Sequence, residues 1–290
     1  MFVGRGCFDR GLLRYCPGSW ADRTALHEAA SQGRALQLKQ LIESGASVNM
    51  VTVDNITALH EACIQAHPNC VRMLLEAGAQ VDVRTIQGST PLCHACAAGS
   101  LACVKLLLKR GAKVNPRPPA SPLHESCTRG NVEIVRLLIT KGAELEACDT
   151  DHTPPLHTAC AKGHVDCALE LLNAGADVNS SKAEETALHH AACGQTADLI
   201  DLLVEFGGNT QARDRHGCKP MDYTKPSTPA GTCLKAYGST PLSLQQLCRI
   251  RMRTTVGRRG LEVIGQLDIS YIIRGYLQYT SYQTSPAAEL

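Results

Sequence analysis

At 290 residues and 44% hydrophobic content the chain is long enough for one large domain or two. Only 4% of it is aromatic, so a core has to be built from Leu, Ile, Val, Ala and Cys. A net charge of +2 supplies no global drive toward nucleic acid or a membrane surface.

The opening MFVGRGCFDRGLLRYC is interrupted by Arg5, Asp9, Arg10 and Arg14 and lacks a signal-peptide-like apolar segment. No run approaches the roughly 18 apolar residues of a spanning helix. A reducing cytoplasmic location, with the nucleus also open to the chain, is therefore expected. The fifteen cysteines then read as small buried side chains rather than a disulfide framework. Within residues 1–20, Phe8, Leu12, Leu13 and Trp20 either cap the segment that begins near Thr24 or belong to an extended arm.

From Thr24 the chain repeats itself: TALHEAASQG, TALHEACIQA from Thr57, TPLCHACAAG from Thr90, SPLHESCTRG from Ser121, PPLHTACAKG from Pro154 and TALHHAACGQ from Thr186. Leucines 26, 59, 92, 123, 156 and 188 are spaced 33, 33, 31, 33 and 32 residues apart. A Gly-Ala pair comes after each, at Gly45, Gly78, Gly111, Gly142 and Gly175, with Gly207-Gly208 in the last. The opening Thr or Ser suits a helix N-cap, and proline is tolerated in the first turn. Small residues such as Ala62-Cys63 and Ala95-Cys96 let helices approach closely, and the glycine suits a left-handed helix end. One such hairpin cannot bury its own apolar face, whereas stacked copies can.

This period and these TPLH-like signatures resemble the ankyrin repeat over roughly residues 20–222. Cys63, Cys96, Cys127 and Cys160 share one repeat position, and Cys70, Cys103 and Cys167 another, so they recur along the chain instead of clustering as metal ligands. Cys93 and Cys96 form a CHAC pair without a second pair at suitable spacing, and no metal or cofactor is expected. His27, His60, His124, His157 and His189 hold the fourth signature position, which makes them structural rather than catalytic. The fourth unit, NPRPPASPLH, is two residues short and proline-dense. The seventh, DRHGCKPMDYT, puts Met221 and Asp222 in the signature places and then dissolves into KPSTPAGTCLK. No second helix with paired leucines is expected there, and something else must cover the end of the stack.

An ankyrin-type face implies a protein ligand. Candidate substrate-face residues, at positions where the scaffold does not demand a type, are Arg23, Glu28, Gln32, Asp54, Asn55, Glu61, Gln87, His94, Glu125 and Arg129.

From Ser239 the pattern changes. SLQQLCRIRMR predicts a helix with Leu244, Leu247, Cys248, Met252 and Thr255 close to one face, capped by Thr240 or Ser243 and stopped by Gly257. GLEVIGQL offers Leu261, Ile264 and Leu267, and ISYIIRGYLQY offers Ile272, Ile273, Tyr276 and Leu277. Three helices in about forty residues make too little private core, so they lean on the repeats, on a partner, or on both. Five arginines at 249, 251, 253, 258 and 259, with no acid between Asp222 and Glu262, pair with acidic partner residues or solvate the helix.

PLSLQQLCRIRMR resembles the elongin-binding segment of a SOCS box, matching its pattern at Leu244, Cys248 and Met252, with Leu247 an additional match. With the repeats before it, the chain resembles the ankyrin repeat and SOCS box proteins. The resemblance implies an all-α solenoid of six full repeats and an incomplete seventh, followed by a three-helix SOCS-box module. Expected boundaries are 1–20 for an arm or cap, 21–222 for the repeats, 223–238 for a linker or modified end cap, 239–280 for the box and 281–290 for a tail. It implies a non-catalytic substrate receptor that holds elongin C with elongin B, a cullin-5 type scaffold and its RING partner, and an unidentified protein substrate. The cullin-selecting segment of such a box, with a Leu-Pro-x-Pro-like core, corresponds to Leu267, Asp268, Ile269 and Ser270, where both prolines are missing. An ankyrin scaffold, or an elongin-only complex without productive cullin recruitment, is the alternative this departure leaves open.

Overall fold

A computed structural model describes residues 23–118, 121–148, 153–182, 184–239, 242–256, 264, 266 and 268–278. The chain divides into two compact units, residues 1–112 and 113–290. The division falls just before the proline-dense Asn115–Pro118 stretch.

In the first unit helices come in pairs: α1 (Ala25–Ser31) with α2 (Ala35–Glu43), α3 (Ala58–Ile64) with α4 (Pro68–Glu76), and α5 (Pro91–Ala97) with α6 (Leu101–Lys109). The second unit continues with α7 (Pro122–Arg129) and α8 (Val132–Thr140), α9 (Pro155–Ala161) and α10 (Val165–Asn173), and α11 (Ala187–Cys193) and α12 (Ala197–Glu205). Short extended fingers connect the pairs. One carries the two-residue hairpin β1 (Ser181–Lys182) and β2 (Glu185–Thr186).

Helices of seven to nine residues are too short to persist alone, so capping and packing must hold them. Expected caps form at three units, where the hydroxyls of Thr57, Thr90 and Ser121 accept from the backbone N–H of His60, Cys93 and His124 at 3.3, 3.4 and 3.4 Å, whereas Thr24 makes no such side-chain bond. Pro91, Pro122 and Pro155 occupy first turns. Within each unit the first helices pack on one another, as α1 on α3 and α7 on α9, and so do the second helices. The six periodic leucines, 26, 59, 92, 123, 156 and 188, are at most 2% exposed. Cys63, Cys96, Cys127 and Cys160 fill the seams beside them, and every described cysteine is a free thiol.

The signature histidines serve the fold. His27, His157 and His189 place Nε2 within 3.0, 3.2 and 3.2 Å of the Ile56, Glu185 and Cys218 carbonyl oxygens, tying each repeat to the next finger. At His60 and His189 the Nδ1 accepts the backbone N–H of Thr57 and Thr186, both at 3.1 Å, which leaves the proton on Nε2. Burial holds His60, His94 and His157 neutral: His60 is pushed down to about 3, with His94 beside it adding repulsion, and His94 and His157 to about 4.

These rings make stability depend on pH. Below the ordinary histidine value of 6.5 the unfolded chain takes up protons that the folded chain refuses until about pH 4. Stability is therefore present above pH 6.5 and declines as pH falls toward 4, each such histidine adding a slope of up to about 1.4 kcal/mol per pH unit. Urea-denaturation midpoints taken at descending pH are expected to drop through this window, and a flat profile would contradict the buried neutral rings.

The end of the repeats differs from the sequence expectation. After a short 3-10 turn at Pro220–Tyr223, residues Pro229–Ser239 form a helix, α13, instead of dissolving. It lacks paired leucines, packs on α12, and buries Ala230, Gly231 and Leu234. A Cβ on Gly231 would lie 2.2 Å from the Lys225 carbonyl oxygen, so the close approach needs glycine. The Cys233 thiol donates to Asp201 on α12 at 2.9 Å. One leucine with small neighbours thus does the work of a leucine pair, a pattern with little periodic signal.

Candidate functional site

Among the described residues, α14 (Leu244–Val256) and α15 (Tyr271–Gln278) come after α13, with residues 264 and 266 between them also helical. Ser243 caps α14 reciprocally. Its hydroxyl accepts the Gln246 N–H at 3.2 Å, and its own N–H donates to the Gln246 side-chain oxygen at 2.9 Å. Thr240, the other expected cap, and Gly257, the expected stop, lie outside the described residues.

The four predicted elongin-binding residues share one solvent-facing strip of α14. Leu244 is 78% exposed, Leu247 49% and Met252 39%, and the Cys248 thiol is also exposed. Thr255 continues the same side. Aligned leucine and methionine side chains left in water on an ordered helix mark a contact surface rather than a core.

The opposite side of α14 is docked, with a composition that sequence reasoning did not anticipate. Arg249, expected to meet a partner or solvent, is instead 1% exposed and ion-paired with Glu205 at the end of α12. The Gln246 side-chain amide donates to the same carboxylate. The Arg249 guanidinium lies 4.4 Å from the Tyr276 ring centroid, and that of Arg253 lies 3.8 Å from the Phe206 ring. Arg253 also donates from Nε to the Leu277 carbonyl oxygen at 2.8 Å. Gly207, in the left-handed region at φ +94°, admits Ile250: a Cβ there would sit 2.9 Å from Ile250 Cγ2. The only hint in the sequence is angular. Arg249 falls five residues after Leu244, which turns it about 140° around the helix from that leucine.

Of the cullin-segment residues, Asp268 and Ser270 are exposed and Ile269 half-buried, immediately before α15. Leu267 lies outside the described residues, as does Leu261. Ile264 and Leu277 are buried, whereas Tyr271 and Ile273 are exposed.

Eight substrate-face candidates lie in the first unit, and Glu125 and Arg129 in the second. Arg23 and Glu61 form an ion pair with each other, Glu61 being buried beneath it. Glu28 accepts from Gln32 at 3.1 Å, and both are exposed. Asn55 holds a left-handed turn (φ +59°), and its amide donates to the Arg84 carbonyl oxygen. His94 packs edge-on against His60 with ring centroids 5.6 Å apart. Asp54, Gln87 and Arg129 are exposed, and Glu125 is half-buried. Sequence reasoning passed over Val53 and Ile86, 68% and 70% exposed, beside Asp54 and Gln87 on fingers joined by the Ile86 N–H to Asp54 carbonyl bond of 3.1 Å.

A family model for ankyrin repeats in three copies matches residues 26–118 and 117–182, a single ankyrin repeat matches 184–215, and a SOCS box model matches 240–278. A mouse relative, ankyrin repeat and SOCS box protein 13, is 66% identical over 278 residues, covering 96% of this chain and 98% of its own length. The chain belongs to the ankyrin repeat and SOCS box family. The human protein of the same name is 66% identical over 275 residues, with 94% and 97% covered. Among solved structures, the human ASB11 ankyrin repeat domain superposes with a TM-score of 0.72 at 39% identity, over 76% of this chain and all of that one. As in the family pattern, an ankyrin-type helical repeat fold is followed by a small helical module, and α14 and α15 lie within the residues the SOCS box model matches. Among the described residues no group of three or more His, Cys, Asp or Glu could hold a metal ion.

Proposed function

We propose that the strip Leu244, Leu247, Cys248 and Met252 is the elongin C contact of this chain. The chain itself is a non-catalytic substrate-recognition adaptor of an elongin B/C–cullin–RING ubiquitin ligase. The observation that carries the contact is the division of α14, with one side docked on α12 and the other exporting apolar side chains. Leu244 inserts as the anchor of a helix-in-groove contact, and Cys248, one turn on, fills a tighter neighbouring site.

Thiol labelling read by peptide mass spectrometry tests this on the intact chain. Cys193 and Cys248, both exposed, are expected to react in the folded protein, whereas the buried Cys63, Cys96, Cys103 and Cys160 react only after denaturation. Saturating elongin B/C should then protect Cys248 and leave Cys193 reactive. Undiminished labelling of Cys248 in the complex would move the contact elsewhere.

The cullin is proposed to be cullin-5, met through Leu267, Asp268, Ile269 and Ser270. The missing prolines at 268 and 270 support a second reading, an ankyrin scaffold or elongin-only complex without productive cullin recruitment. Reconstitution with elongin B/C, purified cullin-5 and its RING partner separates the two, since only the first reading yields a stable complex of all five proteins. The repeats are read as six full ankyrin units and an incomplete seventh closed by α13. The domain boundaries are those expected from the sequence, and the location is cytoplasmic or nuclear. The substrate surface is assigned to the finger and first-helix candidates, with exposed Glu28, Gln32, Asp54, Gln87 and Arg129 the most available.

A further inference from the structure

A helix that merely closes the end of a repeat stack would turn its leucines inward and its arginines outward. In α14 the arrangement is reversed: Gln246, Arg249 and Arg253 engage the last repeat and α15, while the leucines face water. Apolar packing is non-directional, so a hydrophobic face would tolerate a range of rotations and tilts. A buried ion pair is directional, and its best-attested use is to specify register rather than to add stability. Arg249 joins three elements at once, reaching Glu205 on α12 from its place on α14 and lying over Tyr276 on α15. Arg253 repeats the pattern one turn further, against Phe206 and the Leu277 carbonyl, with Asn173 at the end of α10 3.5 Å away. Ile250, next in the chain after Arg249, is seated against Gly207.

We propose that Arg249 and Arg253 are positioning residues of the adaptor, clamping α14 to the last repeat and α15 so that the elongin-facing strip leaves the repeat at one angle. The inference rests on the ligase reading for its purpose: transfer to a bound target depends on where that target is held relative to the charged ubiquitin, and a fixed angle sets this in advance. Neither arginine touches elongin or substrate in this scheme.

The test uses the full chain with spectroscopic labels introduced as unnatural amino acids at Asp198 and Gln245, both exposed, one on α12 and one on α14. The wild-type chain is expected to show a single narrow distance distribution, alone and with elongin B/C. Glu205→Leu with Arg249→Met replaces the pair by apolar groups, and should keep the melting temperature and elongin affinity while losing the single distance. In a reconstituted ligase the same variant should modify an altered set of its own lysines, a readout that a stability role alone would not move. An unchanged distance distribution and lysine pattern in a folded double variant would overturn the proposal. If that variant does not fold, Arg253→Leu, which leaves the Arg249–Glu205 pair in place, decides by the same distance measurement: broadening supports the clamp and no change refutes it. Failure of the wild type to bind elongin B/C would count against the ligase reading, while the distances in the free chain still decide the clamp.

Discussion

Leu244→Ala is expected to weaken elongin B/C binding by about 2–4 kcal/mol, or roughly 30-fold to nearly 1000-fold in Kd. The side chain is 78% exposed in the isolated chain, so its removal takes nothing from the folded core, and the melting temperature should stay put. That combination, intact stability with lost binding, separates an exported anchor from a helix that only caps the repeats. Calorimetric titration of the variant with elongin B/C checks the first half, and a thermal melt the second. Cys248→Ala removes a smaller side chain from the same strip and should cost less, and the double variant should abolish co-purification. Full affinity in the double variant would sink the assignment of this strip.

Arg249→Met alone is expected to destabilise the end of the chain by about 3–5 kcal/mol, because it leaves a buried carboxylate without its counter-charge. The side chains of Arg249 and Glu205 are 0% and 8% exposed, so solvent cannot take over the pairing. Gln246 would still donate to Glu205, but a neutral amide offsets only part of an unpaired charge. Glu205→Leu added to Arg249→Met should recover most of the loss, since an apolar pair of similar volume avoids the desolvation penalty of both ions. Hydrogen exchange of the α12 amides gives the local measure: faster in the single variant, near wild type in the double. A single variant as stable as the wild type would mean that the carboxylate reaches water or another donor.

These two residues sit five positions apart on one helix, and they mark how far the sequence could be read. Leu244, Leu247, Cys248 and Met252 were legible because a helix of known pitch places spacings of three and four on one side, and the structure exposes all four there. The repeats were legible for a similar reason. Their leucines, capping hydroxyls and glycines recur at fixed intervals, and each interval imposes the same local geometry. The helix at Pro229–Ser239 escaped notice because its packing depends on Gly231 meeting a backbone oxygen, a relation that leaves no periodic trace. Arg23 and Glu61 looked equally available as surface residues, although they are 38 positions apart and pair with each other.

Local order within the repeats was thus determined by the sequence itself: where their helices start and stop, which leucines face inward and why the period-locked cysteines are buried; so too was which strip of α14 can be offered to a partner. Each of these depends on neighbours within about one turn or one repeat, where backbone geometry leaves few choices. Only the tertiary structure decided which charges are spent inside the molecule. Glu205 and Arg249 are separated by 44 positions and carry no mutual signal in the sequence, and it is desolvation on docking that turns an ordinary surface pair into a directional one.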